Sequence, residues 1–310
     1  MAKVKKRARR WLQRSVERVA DADGTDSVRR MRLATVARER KRTLHSLGVP
    51  ELVPEEIPSR WGTQTIFILG SGSSICDMSD VQWELVRAHG SLGVNKWPLH
   101  DFLPTAYVFE PFGTFSRARV GEALKREDLL AASPEVWVSD SVLRKPEHLR
   151  VKIPDPLKRQ LAVYLPFRWG TQRADRLRAA VRTYLNWRER RGDPPSLIPG
   201  TGATIERMTV LAAVAGFTDI VLVGVDLNTT EYFWERDPSF LERRNLEPFP
   251  SGQTGPIHAT AMDREKYLPV TVTIPILAEM LEEHLSAQLW IASETSALAG
   301  HVPVYDWSAL

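Results

Sequence analysis

The sequence has one cysteine, Cys76, among 310 residues. An internal disulfide is therefore excluded, and so is a zinc site built on clustered cysteines. Such usage fits a reducing compartment. Long apolar runs are missing as well: no stretch approaches the roughly 18 consecutive apolar residues of a membrane span. The first ten residues are charged throughout and no apolar segment follows them, so no secretory signal is expected and the chain is expected in the cytoplasm. There is no internal repeat and no low-complexity tract. A well-placed Asp-x-Asp metal motif is also absent. Asp21-Ala22-Asp23 has the letters, but it lies in a basic segment and reads as a helix end.

Charge is unevenly distributed. Residues 1–46 hold fifteen Lys/Arg against five Asp/Glu, a net of +10, which leaves −6 for the rest of a chain whose total is +4. Residues 3–20 read as a basic amphipathic helix, with Val4, Ala8, Trp11, Leu12, Val16 and Val19 at helical spacing. A cationic and apolar helix suits peripheral contact with an anionic membrane. Packing on a partner subunit in a homo-oligomer is the second use such a helix could have. Nucleic acid is disfavoured, because base-stacking aromatics are nearly absent from the segment. A second helix is expected over 26–47. Residues 48–61, with three prolines, read as a linker. Residues 1–60 are thus expected as a basic helical appendage with its linker, and 61–310 as a catalytic domain.

From residue 64 the pattern becomes that of an α/β domain. Thr65-Ile66-Phe67-Ile68-Leu69 is a buried strand feeding Gly70-Ser71-Gly72-Ser73-Ser74 and then a helix around 78–89. Further strands are expected at 91–95, 105–109, 135–139, 219–223 and 288–292, and helices at 201–215 and 273–288. Residues 150–195, rich in Arg, Trp and Pro, read as a helical excursion or lid, and 234–262 as a second lid segment. Apolar strands alternating with helices predict a Rossmann-like, mostly parallel sheet flanked by helices.

In such a sheet ligands bind at the carboxyl ends of the strands. The turn Gly70-Ser71-Gly72-Ser73-Ser74 either lets a phosphate or ribose approach backbone N–H groups or is a tight strand-to-helix turn. Pro199-Gly200-Thr201-Gly202-Ala203-Thr204 opens a helix with Thr201 as N-cap, and is either an anion site or an ordinary cap. In Gly224-Val225-Asp226-Leu227-Asn228, the Asp either holds a ligand hydroxyl or ties down its loop. Tyr232 could donate its phenolic proton to a leaving phosphate or lie idle on the surface. His258, in a Gly/Pro-rich loop, has the chemistry of a general base, with six other histidines competing for the role.

Taken in order, these residues resemble glycosyltransferase family 42, the bacterial sialyltransferases, and the related nonulosonate-transferase domain of flagellin-modifying proteins. The resemblance covers roughly 64–306. It rests on Gly70-Ser71-Gly72-Ser73-Ser74, Asn95, Thr201-Gly202, Gly224-Val225-Asp226, Tyr232, His258, and Ser293 with Ser296 after a final strand. It implies a modified GT-A type fold with a lid, a CMP-activated sugar as co-substrate, no metal or other cofactor, and a glycan or lipid-linked glycan acceptor. It implies His258 as general base and Tyr232 as the group assisting the phosphate. Gly70, Gly72, Asn95, Thr201, Gly202, Gly224 and Asp226 are then donor-binding residues, with Ser71, Ser73, Ser74 and Val225 beside them.

The departures are specific. Asn228 stands where the family has a second leaving-group tyrosine, Glu110 where it has an asparagine after the third strand, and Gly255 where it has a tyrosine before the histidine. The loop between Asp226 and Tyr232 is also shorter. Leaving-group stabilisation is then expected to pass to Asn228 or to an arginine such as Arg168. Two other functions remain open. One is diphosphate transfer of the pterin pyrophosphokinase kind, which would need magnesium and clustered carboxylates. The other is a non-catalytic nucleotide-binding scaffold.

Overall fold

The computed structural model of the protein describes residues 33–39, 42, 45, 48–110, 114–143, 153–191, 196–250, 255–262 and 267–308. The amphipathic segment expected at 3–20 lies outside the described residues.

Eight strands form one sheet: β1 (Thr65–Leu69), β2 (Gly90–Val94), β3 (Ala106–Phe109), β4 (Glu135–Ser139), β5 (Leu161–Arg168), β6 (Leu197–Gly200), β7 (Asp219–Val223) and β8 (Gln288–Ile291). Every pairing is parallel, in the order β6-β5-β4-β3-β2-β1-β7-β8. The main helices are α1 (Asp80–Ala88), α2 (Thr114–Ala123), α3 (Glu127–Ala132), α4 (Ala174–Glu189), α5 (Thr204–Ala215) and α6 (Val270–Leu285). This is the Rossmann-like α/β fold the sequence predicts. The central strands are continuous apolar runs because helices cover the sheet: Ile66, Phe67, Ile68 and Leu69 are fully buried, as are Ile220, Val221 and Leu222. Helix α5 is buried almost all round, packing on α6 as well as on the sheet. Helix α1 starts at a capping box between Ser79 and Gln82, and α5 stops at Gly216, whose φ of 103° is left-handed.

Three expectations about organisation are corrected. Residues 48–61 do not behave as a linker. Leu52 N–H donates to the Val163 carbonyl and Val163 N–H to that of Pro50, both at 2.9 Å, so this segment pairs alongside β5. Pro54 and Pro58 each sit in the first turn of a short helix, where a missing N–H costs nothing. Upstream, Leu33 and Ala37 are buried in the same core, so part of the expected appendage packs on the main body. The excursion expected at 150–195 contributes β5, an interior strand of the sheet, and α4. In the second lid segment, Trp234, Phe240, Leu241, Leu246 and Phe249 are buried. The short helix Phe233–Arg236 packs on the turn after β1.

Candidate functional site

The chain lays strands β1 to β6 out in one direction and then crosses back to place β7 on the other side of β1. The reversal makes the carboxyl ends of β1 and β7 the switch point of the sheet, where open α/β sheets bind ligands. The two turns that the sequence singles out, Gly70–Ser74 and Gly224–Asp226, meet there. Gly70 N–H donates to the Val223 carbonyl at 2.7 Å and Gly72 N–H to the Gly224 carbonyl at 2.8 Å. A Cβ on Gly70 would strike the Gly224 carbonyl, and one on Gly72 the Asp226 carboxylate. Gly224 has φ 63°, with Ile75 against it. These glycines are required by close backbone approach. The Asp226 carboxylate accepts from Ser74 N–H at 2.9 Å and from the Ser74 hydroxyl, so it ties one turn to the other.

Tyr232 and His258 are each fastened to one of these turns by the main chain. Tyr232 forms an antiparallel bridge with Gly72, and His258 N–H donates to the Leu227 carbonyl at 3.2 Å. Their side chains meet, with Tyr232 Oη 3.2 Å from His258 Nε2. On the other side of the ring, His258 Nδ1 lies 2.8 Å from Thr260 Oγ1 and accepts a longer 3.3 Å contact from Thr260 N–H. When Nδ1 carries the proton and Thr260 Oγ1 accepts it, Nε2 presents a lone pair toward Tyr232. The main-chain contact favours the opposite tautomer. The Thr260 hydroxyl can donate or accept and so fits either tautomer; the first is the one in which Nε2 can take a proton.

Lys96 follows directly on Asn95 at the end of β2. Its Nζ sits 4.2 Å from the centre of the Tyr232 ring and 5.1 Å from that of Trp234, and the two rings stack at 4.6 Å. Burial brings the Lys96 ammonium down to about 8, against a smaller upward pull from Glu235. Neither Lys96 nor Thr260 stands out in the sequence by motif. Position could have found both, one at a strand's carboxyl end and the other two residues past His258.

The remaining candidate residues are engaged by the protein itself. Thr201 is not the N-cap of α5; Ala203 is. The N–H groups of Thr201, Gly202 and Ala203 all donate to one oxygen of Glu206, at 2.8, 2.8 and 3.1 Å, and the Thr201 hydroxyl to the other at 2.6 Å. The anion expected at this helix start is therefore the chain's own carboxylate, at the N3 position of α5.

Glu110 does not face a ligand either. It is buried and held by both ends of the Arg207 guanidinium, by the Tyr164 hydroxyl at 2.5 Å and by the Thr204 hydroxyl at 2.9 Å. Burial alone would raise its carboxyl. The Arg207 charge and these hydrogen bonds outweigh that and hold it below the usual carboxylate range. Asn95, at φ 50°, accepts from Glu110 N–H at 2.9 Å and donates to Thr204 Oγ1 at 3.3 Å.

The two groups expected to replace the missing tyrosine are also in use. The Asn228 amide donates to the Thr295 carbonyl at 2.6 Å, and Arg168 donates to Tyr267 Oη at 3.0 Å. Ser296 Oγ donates to the Val225 carbonyl at 2.7 Å and so braces the β7 turn. Among the described residues no three His, Cys, Asp or Glu side chains converge as a metal site, and no helix is long and apolar enough to cross a membrane.

No family model and no curated protein matches the chain. Among solved structures, the monofunctional α-2,3-sialyltransferase Cst-I from Campylobacter jejuni aligns over 79% of this chain and 82% of its own, at 15% identity and a TM-score of 0.44. The sialyltransferase CstII from Campylobacter jejuni, in complex with cytidine-5'-monophosphate, aligns over 78% and 85%, at 14% identity and 0.40. The MAf glycosyltransferase from Magnetospirillum magneticum AMB-1 aligns over 80% of this chain and 34% of its own, at 16% identity and 0.39.

Proposed function

We propose that this protein is a metal-independent, inverting glycosyltransferase. It moves a nonulosonic acid, of the sialic acid or Kdo type, from a CMP-activated donor to the hydroxyl of a glycan or lipid-linked glycan. One observation carries the reading: an acid–base pair, Tyr232 and His258, is anchored by its main chain to the two turns at the switch point. The ordered likeness to family 42 sialyltransferases then supplies the donor class.

The chemistry assigned to the pair balances. His258 Nε2 removes the proton from the acceptor hydroxyl as its oxygen bonds to the anomeric carbon. The bond from that carbon to the phosphate oxygen breaks, and Tyr232, its hydroxyl turned from His258 Nε2 once donor and acceptor are bound, donates a hydrogen bond to the departing phosphate. Thr260 Oγ1 stabilises the imidazolium that forms, by accepting from Nδ1. A nucleoside monophosphate carries less charge than a diphosphate, so fixed hydrogen-bond donors can take the place of a cation.

Thermal shift tests the donor class. CMP, with EDTA present, raises the melting temperature more than UDP, GDP or ATP does. Binding that requires manganese, or a preference for UDP, overturns the proposal; stabilisation by ATP with magnesium supports diphosphate transfer instead.

A further inference from the structure

Lys96 takes no part in the chemistry assigned above, yet its placement is unusual. A lysine ammonium is normally hydrated, and burying it without a compensating partner is costly. Here it is packed against the faces of Tyr232 and Trp234, beside the Tyr232 phenol that hydrogen-bonds His258. Among the described residues it makes no ion pair; Glu235, on the short helix Phe233–Arg236, is the charge that reaches it. Glu235 is itself occupied, accepting from Tyr232 N–H at 2.9 Å. The other titratable groups of this cluster are Tyr232 and His258. A second donor nearby is unmet as well: Trp234 is 1% exposed and its indole N–H has no acceptor among the described residues.

We infer that Lys96, caged by Tyr232 and Trp234, is the residue that supplies this site's positive charge to a phosphate group of the ligand. The inference rests on the transferase reading for the identity of that ligand, but not for the charge itself. The groups expected to compensate for the absent second tyrosine are bonded elsewhere, Asn228 to the Thr295 carbonyl and Arg168 to Tyr267. Lys96 stands against the aromatic ring whose hydroxyl is to meet the phosphate. Its partial desolvation strengthens its attraction for an anion that enters, because the same charge acts through less water. Burial has already brought its ammonium down to about 8, so an arriving phosphate restores the charge and draws in a proton near that pH.

The test follows Lys96 in the full chain carrying 13C-labelled lysine, with its resonance assigned by its loss in Lys96→Arg or, if that variant is unstable, Lys96→Gln. Its titration midpoint is measured alone and with inorganic phosphate, CMP or cytidine. Phosphate and CMP should each raise its proton affinity by at least about tenfold, as an opposite charge within a few ångströms does, and cytidine should not. One further readout excludes a merely structural role. Calorimetry at pH 8 in buffers of different ionisation enthalpy should show proton uptake on CMP binding that is lost in both Lys96→Gln and Lys96→Arg, while Lys96→Arg, already charged, keeps the CMP affinity that Lys96→Gln loses. If phosphate moves the midpoint while CMP binds no better than phosphate, Lys96 keeps its role and the cytidine-nucleotide reading fails. If neither phosphate nor CMP moves it, the inference about Lys96 is overturned, whether or not CMP binds.

Discussion

Alanine at His258 lowers kcat by about 10²–10⁴-fold, the scale of general acid–base catalysis, while the affinity for CMP stays within about threefold. The split follows from the geometry. The imidazole contacts Tyr232 Oη and Thr260 Oγ1, and neither contact helps hold the turns Gly70–Ser74 and Gly224–Asp226 together. Those turns are fixed by their own backbone bonds and by Asp226 on Ser74. Steady-state kinetics with calorimetric CMP titration reads both quantities. A kcat within about threefold of the parent removes His258 from the mechanism. An equal loss in affinity and turnover would make it a ground-state binding residue instead.

Removing Arg207 should cost about 3–5 kcal/mol of stability, because it leaves the Glu110 carboxylate buried without its countercharge. Both side chains are nearly inaccessible, at 5% and 8% exposure, and the guanidinium grips the carboxylate with two nitrogens. Gly200 is what lets it do so, since a Cβ there would strike the Arg207 side chain. Urea unfolding of Arg207→Met measures the loss. The double variant Glu110→Gln, Arg207→Met should recover part of it, since no unpaired charge is then left in the core. A loss below about 1 kcal/mol in the single variant would mean that the pair is not a stability element.

How much of this could be read from the sequence depended on where each segment's apolar residues go. Strands β1, β4 and β7 show plainly in Thr65–Leu69, Glu135–Ser139 and Asp219–Val223, because burial on both faces leaves short unbroken apolar runs. Strand β5 was hidden among Arg, Trp and Pro, although Val163, Tyr164 and Leu165 are fully buried. Strand β6 ends in Pro199-Gly200, a pair that in sequence signals a break and not a strand. It lies at the edge of the sheet, where a proline's missing N–H breaks no ladder. The prolines of 48–61 misled in a similar way: proline marks helix starts as well as linkers.

The glycines, Asp226, Tyr232 and His258 that the sequence singles out by residue type and order come together at the carboxyl ends of β1 and β7. What the sequence could not show was competition within the chain for the same groups. With Ala203 and not Thr201 as N-cap, the N3 position of α5 is Glu206 and not Thr204. The three N–H groups that a Thr201 cap would leave open are in fact occupied by Glu206. Glu110 likewise marks the end of a strand, and only the fold reveals that Arg207, one turn into α5, meets it there.

The central claim is that the switch point between β1 and β7 cleaves a CMP-linked sugar acid. It is tested most directly by incubating the full chain with a panel of CMP-nonulosonates, including CMP-Kdo, with EDTA present and a glycan acceptor. Free CMP and the extended glycan are then followed by mass spectrometry. Stoichiometric release of CMP and gain of one sugar-acid residue on the acceptor are expected from at least one donor, with both lost in His258→Ala. Absence of CMP release from every donor, while UDP- or GDP-sugars are turned over, would contradict it.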